Sequence, residues 1–310
     1  MKISEIIRRD LHLPCRAVRE QEVETLGLAV SRPGRTLATF IKAAEFIQDL
    51  SSDVGTVITT EDLVPLLPDR VGIVTVENPR ECFFNLHNHL LAKGSSYARK
   101  TDKTVIGEGC RISDRAVIAD KGVTIGDRVL IEDNVSIREN VTIENDTIVR
   151  AGCRIGGEGF EFKRIGPASY RVLHGGGVHI GHHVEIQYNS CVDKAVYPWD
   201  DTVIGPYSKI DNLVHIAHGV KLGQRVFVVA HSGIGGRTEI EDDVWVGFNV
   251  TARNGIHVGE GARLNMGSVV TLDVPPHASL SGNFAIDHER LLQLVKQWAE
   301  AQEDKKKESL

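Results

Sequence analysis

The sequence predicts a mainly β protein: a left-handed parallel β-helix of hexapeptide repeats, with a small α/β domain before it and a helix after it. The first observation is a period of six. From Ile180 to Val270 every sixth residue is aliphatic or small (among them Ile186, Val192, Ile204, Ile210, Ile216, Leu222, Val228 and Ile234), and only Pro198 is out of character. Neither a helix nor a flat strand produces that period. A coil that turns a corner every six residues does. The second observation is that the residue four places on is again apolar or small, as at Val129, Val135, Val214, Val220 and Ala262. Two inward residues per repeat build a narrow stacked core. The third is that the first hundred residues lack the period and read as strands and helices.

In that first region, 1–100, Val54–Thr60 and Val71–Val76 read as strands and Glu61–Leu67 as a helical turn. Glu77-Asn78-Pro79 opens a helix carrying Cys82, Phe83, Leu86 and Leu90. Proline suits a helix start because its missing N–H has no partner there in any case. His87-Asn88-His89 reads as helix surface. The β-helix is expected over 101–283. It opens with Ile106, Ile112 and Ile118, takes one extra residue before Ile125, and then runs evenly through Ile131, Ile137, Ile143, Val149 and Ile155. The phase puts Cys110 and Cys153 inside as small hydrophobes. Gly156–Gly177 breaks the period and reads as a loop leaving the coil, and Tyr197–Asp201 as a shorter one. Loops on a rigid scaffold are where binding residues concentrate. In 284–310, Leu291, Leu294, Val295 and Trp298 share one helical face, which a neighbouring copy could cover in a symmetric oligomer.

Bulk properties narrow the function. The 310 residues carry a net charge of −6, whereas a nucleic-acid binder is more often basic. No apolar run reaches transmembrane length, and the N-terminus lacks the features of a secretory signal. Five cysteines without C-x-x-C spacing fit reduced thiols in a cytoplasm.

Residues 18 apart stack in a coil with three six-residue sides, which aligns Asp200, His218, Gly236 and Asn254 at one corner, two places past a repeat position. His218 at that corner is expected to face solvent or a neighbour rather than the core. Gly236 above it leaves a backbone N–H open to a ligand. An imidazole base beside an N–H that can hold an oxyanion is the minimum for acyl transfer. His215 points outward on the preceding strand and could share the groove. His174, His179, His182 and His183 also permit a zinc reading, but catalysis would need three ligands and an open position, and the sequence shows no carboxylate partner. No bound metal is therefore expected.

Ile210-Asp211-Asn212-Leu213-Val214-His215-Ile216-Ala217-His218-Gly219-Val220, followed by Gly233-Ile234-Gly235-Gly236, resembles the signature of the UDP-3-O-acylglucosamine N-acyltransferases of lipid A biosynthesis. Gly157-Glu158-Gly159-Phe160 is similar to that family's glycine–phenylalanine loop, Val192-Asp193-Lys194 and Asp200–Gly205 match further solenoid motifs, and Thr39-Phe40 with the Pro79 helix matches its nucleotide-binding domain. The resemblance implies a homotrimer with sites between adjacent coils. It implies His218 as general base and Gly236 N–H as oxyanion donor, with Asp211 and Asn212 lining the site. Asp211 lies on another face of the coil from His218, so it would serve a neighbour's site or act around the corner. Phe40 and Phe46 would stack a nucleotide base, and Phe160 and Asn254 would contact substrate. The acyl donor would be a thioester of coenzyme A or of acyl carrier protein, with no cofactor held permanently. Two positions depart from the family. Ala43 stands where an asparagine would read the base, and Ile256 where a second histidine would follow Asn254-Gly255, with His257 one place late and so on the other face. These departures favour a dTDP-linked amino-deoxysugar of surface polysaccharide as acceptor, with UDP-linked 3-O-acylglucosamine as the alternative. A zinc lyase or an inactive scaffold are the remote rivals.

Overall fold

A computed structural model describes residues 1–165, 168–282, 285 and 287–308 of the chain. Helix α1 (Ile3–Arg9) leads into strands β1 (Arg16–Arg19), β2 (Thr25–Leu26), β3 (Leu37–Phe40), β4 (Val54–Thr59) and β5 (Gly72–Thr75), followed by α2 (Pro79–Ala92). The sheet order is β1-β5-β4-β3-β2. Strands β2 to β5 are parallel, and β1 runs antiparallel to β5. All six residues of β4 are buried, as expected of a parallel strand covered on both faces. Asn78 caps α2 by accepting a hydrogen bond from Glu81 N–H, and Pro79 occupies the first turn.

From Val105 to Leu280 the chain winds into a parallel β-helix whose three sheets hold 9, 8 and 8 strands among the described residues. Most strands are two residues long and pair with the strand 18 residues on, as His215 with Gly233 and Ile216 with Ile234. The inward positions form one continuous core, including Ile186, Val192, Ile216, Ile234 and Ala252. Cys153 is buried in it, and burial pushes its thiol up to about 11. Cys110 is only half-buried. It lies in the first coil, which has no coil beneath it, and Val105 and Ile106 there are exposed as well.

The two interruptions serve as the mount for the α/β domain. Glycine-flanked 156–177 contains an antiparallel hairpin, Phe162–Ile165 with Ala168–Arg171. Around Pro198 the pairing distance lengthens, so that Ile180 pairs with Ile204. Val172, Val196 and Tyr197 from these loops join Leu26, Phe83, Phe84 and Leu86 in one buried cluster. Trp199 Nε1 donates to the Leu26 carbonyl at 2.8 Å, and Asn88 holds both Arg171 O and Leu173 N. The expectation for 87–89 therefore needs correcting at His87. It is fully buried, bonded to Tyr97 Oη at 2.7 Å and Leu173 O at 2.8 Å, because the hairpin covers that face of α2. Helix α3 (His288–Glu308) leaves Leu291, Val295 and Trp298 exposed in the single chain.

Candidate active site

His218 lies at the corner between the strands His215–Ile216 and Lys221–Leu222, followed by Gly219 with φ +71. That left-handed turn suits glycine. A Cβ added to Gly236 would lie 2.6 Å from His218 Nε2, so the coil above comes down directly on the imidazole and only glycine leaves room for it.

The expected solvent-facing histidine is instead buried, at 8% exposure. The 156–177 loop folds over the corner and covers it. Glu161 in that loop is equally buried, and its Oε2 lies 3.1 Å from His218 Nε2. An ionised carboxylate only accepts, so Nε2 carries the proton in this state. Lys163 Nζ bonds Glu161 Oε1, and Arg237 Nη2 lies 3.6 Å from Oε2. Burial works to raise the Glu161 pKa. The hydrogen bonds from His218 and Lys163 and the charges of Arg237 and Lys163 outweigh it and hold the carboxyl well below its usual range.

On the other side of the ring, His218 Nδ1 is buried with no hydrogen-bond partner among the described residues, and so is His174 Nε2. The two rings meet edge to face at 5.5 Å. His174 Nδ1 donates to the Val172 carbonyl at 3.2 Å, which leaves Nε2 as an acceptor. Burial, and then the neighbouring His218, push the His174 pKa down to about 4. Gly159 fills the space between: a Cβ there would lie 2.9 Å from Asp193 Oδ2, 3.0 Å from His218 Nδ1 and 3.3 Å from His174 Nε2. Asp193 also accepts from His215 Nε2 at 2.9 Å, and this hydrogen bond raises the His215 pKa.

A cavity of about 460 Å³ reaches from this cluster into the α/β domain. Phe40, Phe46 and Phe84 give it an aromatic part, while Lys42, Arg80, Lys163 and Arg237 give it cations. It borders the end of β3, the carboxyl edge of a parallel sheet, where ligands of α/β folds commonly bind. Phe40 and Phe46, both expected to meet a nucleotide base, thus share one cavity with the loop that covers His218.

Other expected residues lie elsewhere. Phe160 is 86% exposed and packs on Phe162. Asn254 is exposed on the column above Gly236. Asp211 and Asn212 occupy a different corner, where Asp211 accepts from the backbone N–H of Asn212 and Ala230, and Asn212 from that of Tyr188. Asp211 lines a separate cavity with Phe227 and Trp245, so one chain does not bring this pair to its own His218. His179 pairs with Glu144 at 2.8 Å, correcting the expectation that the histidine group has no carboxylate partner. Among the described residues no group of three or more His, Cys, Asp or Glu side chains could hold a metal ion.

Glu161, Lys163 and Arg237 were not anticipated. Their sequence signal is modest: alternating aromatic and charged residues in Phe160-Glu161-Phe162-Lys163, and an arginine directly after Gly236.

Comparison with known proteins agrees with this architecture. The family described as "Bacterial transferase hexapeptide (six repeats)" matches residues 122–157 and 201–236, and "Hexapeptide repeat of succinyl-transferase" matches 103–139 and 237–271. The chain is similar to a UDP-3-O-acylglucosamine N-acyltransferase of Methylobacterium sp. (strain 4-46), 39% identical over 138 residues, covering 44% of this chain and 39% of the relative. It is also similar to UDP-3-O-acylglucosamine N-acyltransferase 2 of Legionella pneumophila (strain Lens), 42% identical over 98 residues, 32% of this chain and 28% of the relative. These matches span well under half the length of either relative. Among solved structures, a UDP-N-acetylglucosamine acyltransferase from Campylobacter jejuni aligns with a TM-score of 0.52 at 21% identity, over 63% of this chain and 79% of that one. An Arabidopsis UDP-N-acetylglucosamine acyltransferase aligns with a TM-score of 0.51 at 22% identity, over 58% and 62%. Both show a shared fold, the left-handed parallel β-helix.

Proposed function

We propose that the chain, which is similar over part of its length to UDP-3-O-acylglucosamine N-acyltransferases and carries bacterial transferase hexapeptide repeats, is a member of that family or of a sister family of nucleotide-amino-sugar N-acyltransferases with the same architecture, and that it transfers an acyl group from a phosphopantetheine thioester to the amine of a nucleotide-linked amino sugar. The observation that carries this reading is the cavity joining the aromatic side chains Phe40 and Phe46 to the cations beside His218. A base can stack at the aromatic part, a diphosphate can meet the cations, and the sugar amine can then reach the imidazole. In this reading the base binds in residues 1–100, at Phe40 and Phe46, and the β-helix of 101–283 supplies the chemistry.

His218 takes a proton as the amine attacks the thioester carbonyl. The Gly236 N–H holds the oxyanion of the tetrahedral intermediate. Collapse breaks the C–S bond, the thiolate leaves with the proton, and an amide remains. The free Nδ1 of His218 is buried against Gly159 and His174, so the amine reaches a basic imidazole nitrogen only once Nε2 is freed from Glu161 and its proton has shifted to Nδ1. Phe160, His215 and Asn254 are proposed to contact the acceptor or acyl chain, and Asp211 with Asn212 to line a neighbouring chain's site in a homotrimer. The exposed Phe227–Trp245 stack beside Asp211 supports an intersubunit face there.

Of the two acceptors, the names of the relatives favour UDP-linked 3-O-acylglucosamine. The dTDP-linked sugar rests on Ala43 and Ile256 alone. No described helix is long and apolar enough to cross a membrane. A cytoplasmic setting is proposed from the five cysteines without C-x-x-C spacing. Substituting His218→Ala should lower kcat about 10²–10⁴-fold, the usual share of a general base, with thiol release measured against UDP- and dTDP-linked amino sugars. A kcat within a few-fold of wild type would overturn the assignment.

A further inference from the structure

We propose that Glu161 is the protein's own stand-in for a substrate phosphate: it fills an anion site made by Lys163, Arg237 and the His218 N–H, and the diphosphate of the acceptor enters by displacing it. This rests on the nucleotide-sugar reading above and adds to it the residue that guards the site.

Glu161 is a buried, ionised carboxylate with three positively charged or N–H partners, and it belongs to the loop rather than to the β-helix core. Its oxygens meet His218 Nε2, Lys163 Nζ and Arg237 Nη2. Take it away and three donors converge on one empty position in the wall of the cavity. Two of them are full cations, and Lys42 and Arg80 line the same cavity. A diphosphate carries more negative charge than one carboxylate and presents more oxygens, so it competes well for such donors.

The chemistry of transfer demands the exchange. With Nε2 protonated and bonded to Glu161, the one lone pair of a neutral His218 is on Nδ1, which is buried against Gly159 and His174; release from Glu161 lets the proton sit on Nδ1 beside His174 and leaves Nε2 to take one from the amine. A group that draws Lys163 and Arg237 away from Glu161 leaves a buried carboxylate with a single N–H partner, a position too poorly compensated for it to keep. In a sugar whose amine is on the carbon next to the one bearing the diphosphate, phosphate on Arg237 places the amine near His218. Occupancy of the anion site and release of the base are then one event. The loop has the means to yield. Gly156, Gly157 and Gly159 precede Glu161, Gly156 has φ +76, and the adjacent Phe160 side chain lies in solvent.

The test measures binding of inorganic pyrophosphate and of UDP to the full chain by titration calorimetry, in wild type, Glu161→Gln and Asp49→Asn. Asp49 lines the same cavity and has no ion pair with Lys163 or Arg237 among the described residues, so D49N reports the general effect of deleting a negative charge. We expect E161Q to bind both ligands about five-fold tighter or more, and clearly tighter than D49N does. In the wild type, saturating pyrophosphate should shift the ¹⁵N signals of the His218 ring toward those of unliganded E161Q. If wild type binds UDP but E161Q binds no tighter than D49N, the exchange is wrong and the function proposed above stands. If neither wild type nor E161Q binds UDP or pyrophosphate, both fall.

Discussion

Gly236→Ala tests the contact on which the proposed chemistry depends. The added methyl would lie 2.6 Å from His218 Nε2, 2.8 Å from Cε1 and 3.0 Å from Cδ2. The shortest of these is about 0.8 Å inside ordinary van der Waals contact. The ring has little freedom to retreat, because Glu161 holds Nε2 and the 156–177 loop covers its other edge. It must therefore tilt by most of an ångström or push the coils apart. A misplacement of that size costs about 10²-fold in rate, and overpacking of a tight interior costs about 1–3 kcal/mol. The backbone at 236 has no left-handed φ, so strain does not confuse the result. Gly233→Ala is the comparator: it lies on the strand just before, and a Cβ there meets nothing within 4 Å. We expect G236A to lose about 10²-fold in kcat with a modest fall in Tm, and G233A to match wild type in both. The assay is thiol release with the acceptor saturating, alongside thermal unfolding. A G236A enzyme with wild-type kcat would show that the imidazole does no work at this corner.

Two further outcomes follow from the mount and from burial. Trp199→Phe removes the N–H that satisfies the Leu26 carbonyl, which should cost about 1–3 kcal/mol, read as a lower Tm with solenoid circular dichroism retained; an unchanged Tm would refute it. Burial pushes His87 down to about 4 and, with the neighbouring His218, pushes His174 down to about 4. Both native pKa values lie below the unfolded value of about 6.5, so the unfolded chain binds more protons at mildly acid pH. Their stabilising contribution is complete above about pH 6.5 and lost as pH falls toward 4, at most about 1.4 kcal/mol per pH unit for each. Urea unfolding at several pH values should show that slope, and His87→Gln should remove about half of it. An unaltered slope in the variant would refute the assignment to His87.

The repeat was legible because a coil leaves little choice. Once Ile216 and Ile234 point inward, the stacking of their strands is fixed, and Gly236 must lie over His218. Cys153 could be placed inside by the same count. What could not be read was anything set by the two interruptions. A period says nothing about how 156–177 folds back, so the burial of His218, the approach of His174 and the contacts of Glu161 were hidden. The burial of His87 is hidden for the same reason: its helix has a face that looks exposed until the hairpin lies on it. Cys110 shows the opposite limit, where a repeat position loses its burial because the coil is the first.

The docking of the α/β domain on the loops around Val172 and Trp199 has a consequence for selectivity. The aromatic part of the cavity belongs to one folded unit and the imidazole to another, and buried contacts fix the spacing between them. With the function proposed above, the protein would act as a gauge, accepting a molecule by the distance between its base and its amine. Coils above Asn254 could be added or removed without resetting that distance, whereas a single residue inserted near Pro198 would change it.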